Sequence, residues 1–239
     1  MVTGASSGIG KAIAVRASEL GAIVVLTARD QQRLSESLNE LSGEGHTIIT
    51  ADLTNEEQLQ QLAGEIPELD GIVHAAGIVF PLPVKFIRHK HLKEVMAINF
   101  EAPVVLTSLL IKAGKLNQGI SIVVLSSVSS QFPYFGGSLY VASKAALEAW
   151  SRNLALELAP QKGRVNALSP GLVRTRILEQ TIDASTPEEV AKYESSYPLG
   201  FGNPEDVAAA AMFFLSDQSK WITGQNLILD GGLTLGSKK

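Results

Sequence analysis

The stretch Thr3-Gly4-Ala5-Ser6-Ser7-Gly8-Ile9-Gly10, followed by a helical run from Lys11 to Leu20, decides how this chain is read. Its glycines let the backbone turn sharply and come close to an anion, while the unpaired amides and positive dipole end of the following helix face that anion. A glycine cluster alone is weak evidence, because turns before helices use glycine in any case. Here the strand residues of Met1-Val2-Thr3 lead in and a helix leads out, the setting in which such a loop cradles the pyrophosphate of a dinucleotide. Whether the first strand is short by design or clipped is left open by the sequence.

Outward from the loop, short β-branched runs alternate with longer helical patterns. Ile23 to Thr27, Thr47 to Thr50, Gly71 to His74, Ile120 to Leu125, Arg164 to Ala167 and Asn226 to Leu229 read as strands. Ile120-Ser121-Ile122-Val123-Val124-Leu125 is apolar at nearly every position, as expected when helices cover both faces of a parallel sheet. The expected fold is therefore α/β: a Rossmann-type, doubly wound parallel sheet of about seven strands. No repeat and no Pro-, Gly- or Ser-rich linker divides the 239 residues, so one domain spanning 1–239 is expected.

Composition removes several function classes. Lys and Arg number 20 against 24 Asp and Glu, a net charge of −4 with no long basic block, which argues against nucleic-acid and anionic-membrane partners. Without cysteine there is no disulfide framework, thiolate nucleophile or cysteine zinc site, and His46, His74, His89 and His91 show no metal-ligand spacing. The longest uninterrupted apolar run, Val207 to Leu215, is too short to cross a bilayer and reads as a core helix. With no basic-then-apolar leader at the start, a cytoplasmic protein is the expectation. The basic stretch Lys85 to Lys93 reads as the solvated start of a helix, since two histidines two apart point in different directions.

At the end of the second strand, where an NAD-preferring fold places an acidic residue for the ribose hydroxyls, the chain has Thr27-Ala28-Arg29. Ala28 repels no phosphate and Arg29 is able to pair with one, which favours NADP(H). Asp30 keeps NAD(H) open, either by holding Arg29 away or by binding ribose itself. Farther along, Tyr140 and Lys144 project from one face of a helix that begins near Tyr140. An ammonium close to a phenol favours the phenolate, so Tyr140 is expected to have a depressed pKa and to serve as an acid or base.

Together with Asp52-Leu53, Ala75-Ala76-Gly77, Asn99, Ser127, Ser169-Pro170-Gly171 and the ending Ile222 to Gly232, these features resemble the classical short-chain dehydrogenases/reductases over essentially the whole chain, including their 3-oxoacyl-(acyl-carrier-protein) reductase members. The resemblance implies that Tyr140 is the general acid/base and that Ser127 hydrogen-bonds the substrate oxygen. It further implies that Lys144 binds the nicotinamide ribose and that Asn99 anchors a water-linked proton relay. Ser126 is the neighbour that competes with Ser127, and for Asn99 a structural asparagine is the alternative. Carried over by position, the cofactor contacts are Gly4, Ser6, Ser7, Gly8, Ile9, Gly10, Arg29, Asp52, Leu53, Ala76, Gly77, Tyr140, Lys144, Pro170, Gly171, Val173 and Thr175. No metal is expected.

Departures from the family pattern also set expectations. His74-Ala75-Ala76-Gly77 replaces the usual Asn-Asn-Ala-Gly, leaving His74 as a core histidine bonded to backbone or as a group titrating near the cofactor. Phe201 stands where the family's Pro-Leu-Gly-Arg segment carries arginine. Leu172 to Asn203 is a candidate substrate lid or a plain surface excursion. Phe132, Tyr134 and Phe135 are either an apolar substrate wall or packing residues. Tyr140 to Leu158 is apolar around most of its circumference, which predicts a subunit contact in a homodimer or homotetramer, or else burial within one subunit. The expected activity is interconversion of a small-molecule ketone and secondary alcohol, with a 3-oxoacyl thioester as one substrate. The competing class is a dinucleotide-binding regulatory or scaffold protein without turnover.

Overall fold

In the computed structural model, residues 1–175 and 186–236 are described. Seven parallel strands form one sheet: β1 (Val2–Thr3), β2 (Val25–Ala28), β3 (Thr47–Thr50), β4 (Leu69–His74), β5 (Leu116–Leu125), β6 (Arg164–Pro170) and β7 (Asn226–Leu229). Their order is β3-β2-β1-β4-β5-β6-β7. Val2 pairs with Leu26 on one side and Val73 on the other, so the strand order reverses between β1 and β4. At such a switch point the loops leave in opposite directions and open a crevice at the carboxyl ends of the strands.

The predicted strands all occur: β3 and β7 have the expected ends, and the others differ at one or both ends. Ile23 lies outside β2 and is 72% exposed. β5 begins at Leu116, because Leu116 pairs with Leu69 across a register shift and carries polar Asn117 and Gln118 into the strand. Apolar periodicity is blind to backbone pairing of that kind.

Helices cover both faces. On one side lie α1 (Gly8–Glu19), α2 (Gln31–Leu38) and, near the chain's end, α8 (Pro204–Leu215); Ile13, Leu34, Val207 and Phe214 meet Leu26, Val73, Val123 and Leu125 there. On the other lie α3 (Glu56–Glu65), α5 (Ala102–Lys112) and α6 (Ser138–Leu158), which bring Leu62, Leu106, Leu110 and Leu147 against Ile72, Ile122 and Val124. Successive residues of β5 thus serve opposite faces, which is why the strand reads apolar throughout. α4 (His89–Met96) begins within the basic stretch and runs through a π-helical turn (Ala97–Glu101) into α5. This continuous helix, His89–Lys112, is long and apolar enough by length and composition to cross a membrane, a length that the uninterrupted-run criterion missed. Ala102, Leu106 and Leu110 bury one of its faces in the core.

α6 is not buried all round as its composition suggested: Leu147, Leu154 and Leu158 face the core while Leu156 faces outward. Within the segment Leu172 to Asn203 the structure describes α7 (Pro187–Glu194), while residues 176–185 of that expected lid lie outside the described residues. Phe201 is buried against Tyr197, with the Arg174 guanidinium over its ring and Glu194 pairing with Arg174. The ring standing where the family carries arginine therefore packs inward.

Candidate active site

β1 ends at Thr3, whose hydroxyl oxygen accepts hydrogen bonds from the backbone N–H groups of Ala75 (3.0 Å) and Ala76 (3.2 Å), tying the two strand ends at the switch point. Gly4 follows with φ +66°, and a Cβ there would lie 2.9 Å from the Ala76 backbone. A Cβ on Gly10 would lie 2.4 Å from the Gly4 carbonyl oxygen, so side chains are excluded at both points. Ser7 occupies the N-cap of α1 without a side-chain cap, and no acidic residue stands in the first turn. The positive helix end is left to whatever anion enters.

The cleft over this loop has a volume of about 260 Å³. Of the predicted contacts, Gly4, Ser6, Ser7, Gly8, Gly10, Arg29, Leu53, Ala76 and Gly77 line it. Arg33, Ile78 and Ile98 line it as well and were not anticipated from sequence. Arg33 stands in the first turn of α2, whereas Arg29 precedes the helix, so helical spacing gave no signal for Arg33. The glycine cradle and the open helix end fit the pyrophosphate of a dinucleotide.

The alternatives for Asp30 narrow. Its carboxylate caps α2 by accepting from the Arg33 backbone N–H at 3.0 Å, and among the described residues Arg29 forms no ion pair. Asp52 is engaged too, accepting from the Thr54 amide (2.9 Å) and hydroxyl (2.7 Å). Those bonds, with Arg29 nearby, hold its carboxyl below the usual range, and Asp52 is not among the cleft-lining residues.

Behind Gly77 stand Asn99 and Lys144, although neither they nor Ser127 and Tyr140 are among the residues lining the cleft. A Cβ on Gly77 would lie 3.1 Å from Asn99 Oδ1 and 3.4 Å from Lys144 Nζ. Asn99 sits in the π-helical turn, a local widening that recurs at functional sites. It accepts from the Ile78 amide (2.8 Å) and donates to the Ile78 carbonyl and to Ser143 Oγ, both at 3.0 Å. Rather than breaking the helix, Asn99 clamps the strand-end loop. Ser127 follows β5 and shares a hydrogen bond with Ser129 Oγ at 2.8 Å, whereas Ser126 turns away into the interior.

One expectation is overturned. The Lys144 ammonium does not acidify the phenol: it donates to the Leu125 carbonyl at 2.6 Å and lies 5.6 Å from the centroid of the Tyr140 ring. Burial pushes Tyr140 up to about 12, with the Ser127 hydroxyl pulling in the opposite direction. The same burial pushes Lys144 down to about 8. Desolvation of each charged form outweighs their mutual influence at this separation.

Thr175 stands beside Gly8, where a Cβ would come 3.3 Å from its Cγ2, and both line an adjoining cleft of about 670 Å³. Pro170, Gly171, Val173 and Ile9 are not among the residues lining either cleft. Val173 bridges to Gly202, and the Gly171 amide donates to Leu229 at 2.8 Å. Phe132, Tyr134 and Phe135 are exposed, Phe135 by 90%, while the Tyr134 ring packs on Gly137, where a Cβ would come 2.7 Å from its Cζ. The Gly136 carbonyl accepts from the Leu82 amide at 2.8 Å, joining their loop to the segment that carries exposed Val84 and Phe86.

His74 is buried at the end of β4 and pairs through Nε2 with Thr107 Oγ1 at 2.9 Å, a side-chain partner in place of the expected backbone. Burial pushes it down to about 3, leaving it neutral.

Comparison with known proteins agrees with this geometry. Residues 4–234 match the family model described as enoyl-(acyl carrier protein) reductase. The chain is 38% identical to a glucose 1-dehydrogenase of Gluconobacter oxydans, covering 98% of this chain and 91% of that one. It is 33% identical to a 3-oxoacyl-(acyl-carrier-protein) reductase of Rickettsia bellii (98% and 96% covered) and 32% identical to an NAD-dependent glycerol dehydrogenase of Listeria innocua (98% and 93%). A solved actinorhodin polyketide ketoreductase variant with NADPH superimposes with a TM-score of 0.91 at 26% identity, over 97% of this chain and 95% of that one. The chain belongs to the classical short-chain dehydrogenase/reductase family of oxidoreductases.

Proposed function

We propose that this protein is an NADP(H)-dependent reductase that interconverts a ketone and a secondary alcohol. The observation that carries the reading is the closeness of Asn99 Oδ1 and Lys144 Nζ to Gly77, a residue that lines the cleft over the glycine loop. Gly4, Gly8 and Gly10 would hold the pyrophosphate, Arg29 and Arg33 the adenosine phosphate, and Lys144 and Thr175 the nicotinamide end. Asp30 lines the same cleft with its Oδ1 engaged in capping α2, and the two guanidinium groups outnumber it at the adenosine end, which supports NADP(H) over NAD(H). The chemistry a bound reduced nicotinamide supplies is hydride transfer to a carbonyl carbon.

Tyr140 remains protonated at neutral pH, as a proton donor to a developing alkoxide must be, and this supports the reducing direction. Ser127 stabilises the same oxygen by donating a hydrogen bond. Lys144, cationic at neutral pH, adds positive potential beside it, and Asn99 holds Ile78 and Ser143 so that the strand-end loop keeps its place. The exposed rim of Phe132, Tyr134, Phe135, Val84 and Phe86 favours a ketone with an apolar arm, such as a 3-oxoacyl thioester, over a polyol. The same reading keeps one domain over 1–239 and gives a lid role to the expected segment 172–203, of which 172–175 and 186–203 are described. Outward-facing Leu156 of α6 supports self-association as a dimer or tetramer, and a cytoplasmic location belongs to the same reading. The test is NADPH oxidation with a panel of apolar and polyhydroxylated ketones: turnover of the apolar set is expected. Cofactor binding without turnover of any ketone would instead identify a regulatory or scaffold protein.

A further inference from the structure

Glu148 lies one helical turn beyond Lys144 on α6 and is, at 5% exposed, the one buried carboxylate among the described residues. Three hydroxyls from three other parts of the chain converge on its Oε1: Ser126 at 2.6 Å, Ser130 at 2.5 Å and Ser169 at 3.2 Å. Ser126 and Ser130 bracket Ser127, and Ser169 belongs to the neighbouring β6. The Ser130 hydroxyl also lies 2.8 Å from the Ser127 carbonyl, so its single hydrogen is held between Ser127's own backbone and Glu148. Among the described residues no cation pairs with this carboxylate.

Burying a carboxylate is a poor way to gain stability, because its desolvation cost is recovered only by well-made hydrogen bonds, and an apolar residue of like volume often does as well. What a carboxylate oxygen does supply is a directional acceptor able to gather several hydroxyls at one point. We propose that Glu148 is a positioning residue: through Ser126 and Ser130 it fixes the backbone bearing Ser127 to the helix bearing Tyr140 and Lys144. Its effect on Ser127 reaches the substrate oxygen, and in that respect it rests on the function proposed above.

The experiment compares Glu148→Leu, Glu148→Gln and Ser130→Ala, alone and combined with Ser127→Ala. The readouts are kcat, KM, NADPH affinity by fluorescence, Tm, and amide hydrogen exchange at Ser127 to Ser130. A misplacement near 1 Å costs about 10²-fold in rate, so kcat of Glu148→Leu is expected to fall by about that factor with NADPH affinity and Tm little changed. Ser130→Ala, which leaves the carboxylate in place, is expected to fall severalfold, and Glu148→Gln, which retains an acceptor oxygen, to recover most of the rate. In the Ser127→Ala background the Glu148→Leu loss should vanish, because the two act through one group. Full kcat in folded Glu148→Leu and Ser130→Ala overturns the proposal, as does an undiminished loss in the Ser127→Ala background. If the wild-type protein turns over no ketone, the proposed function has failed and the exchange data decide this inference: faster exchange at Ser127 to Ser130 in Glu148→Leu supports it, and unchanged exchange overturns it.

Discussion

Lys144 and Tyr140, one helical turn apart, do not form a phenol–ammonium hydrogen bond: Nζ lies 5.6 Å from the ring centroid and donates a hydrogen bond to the Leu125 carbonyl at 2.6 Å. The phenol is thereby left as an acid held protonated by burial, up to about 12, with a cation near but not on its oxygen. Tyr140→Phe should lower kcat for ketone reduction by about 10²–10⁴-fold, the usual worth of a positioned acid, while NADPH binding measured by fluorescence stays intact. A variant that kept its rate would show that the proton comes from elsewhere.

Charge at the adenosine end makes a separate claim. Arg29→Ala should narrow the preference for NADPH over NADH in kcat/KM by about 1–3 kcal/mol, the range for a charge-assisted hydrogen bond, and Arg33→Ala should do so to a lesser degree. Equal use of both cofactors by the unmodified protein would contradict the cofactor assignment.

At Gly77 the space is already taken. A Cβ would come 3.1 Å from Asn99 Oδ1, an oxygen that cannot retreat without losing its bond from the Ile78 amide. Gly77→Ala is expected to cost about 1–3 kcal/mol by overpacking, read as a lower Tm, and to reduce turnover more than stability because Lys144 Nζ is the next atom displaced.

His74 links folding to acid. Its folded pKa, about 3, lies below the ordinary 6.5, so below pH 6.5 the unfolded chain takes up a proton that the folded chain refuses. Stability is therefore lost as pH falls through 6.5 toward 3, at up to about 1.4 kcal/mol per pH unit from this group. Denaturant titrations should show a shallower acid limb for His74→Leu than for the wild-type protein; parallel limbs would mean that His74 carries no such linkage.

Along the rim, Phe135 is 90% exposed and has little packing to lose. Phe135→Ala should leave Tm within about 2 °C, since exposed positions change stability by under about 0.5 kcal/mol, yet raise KM for a long apolar ketone severalfold. No change in KM would remove this residue from the substrate wall.

The order of strands and helices was legible in the chain because burial on both faces of a parallel sheet writes itself into local apolar runs, as in Ile122 to Leu125. The phosphate loop was legible for a partly similar reason: Gly4 takes a positive φ and Gly10 lies against the Gly4 carbonyl six residues back, although the Ala76 backbone that also crowds Gly4 comes from a distant part of the chain. Strand ends were less so, since Asn117 and Gln118 extend β5 through pairing with a distant strand, and polar residues give no local sign of it.

Sequence alone thus determined the architecture, the loop, and the presence of Ser127, Tyr140, Lys144 and Asn99 at compatible spacings, because each depends on local conformation or short-range order along the chain. Only the tertiary structure decided that Lys144 turns to Leu125 and that Glu148 gathers Ser126 and Ser130 from the segment after β5 and Ser169 from β6. These are matters of burial and of hydrogen-bond competition between residues far apart in sequence. They are settled when the sheet closes and water is excluded.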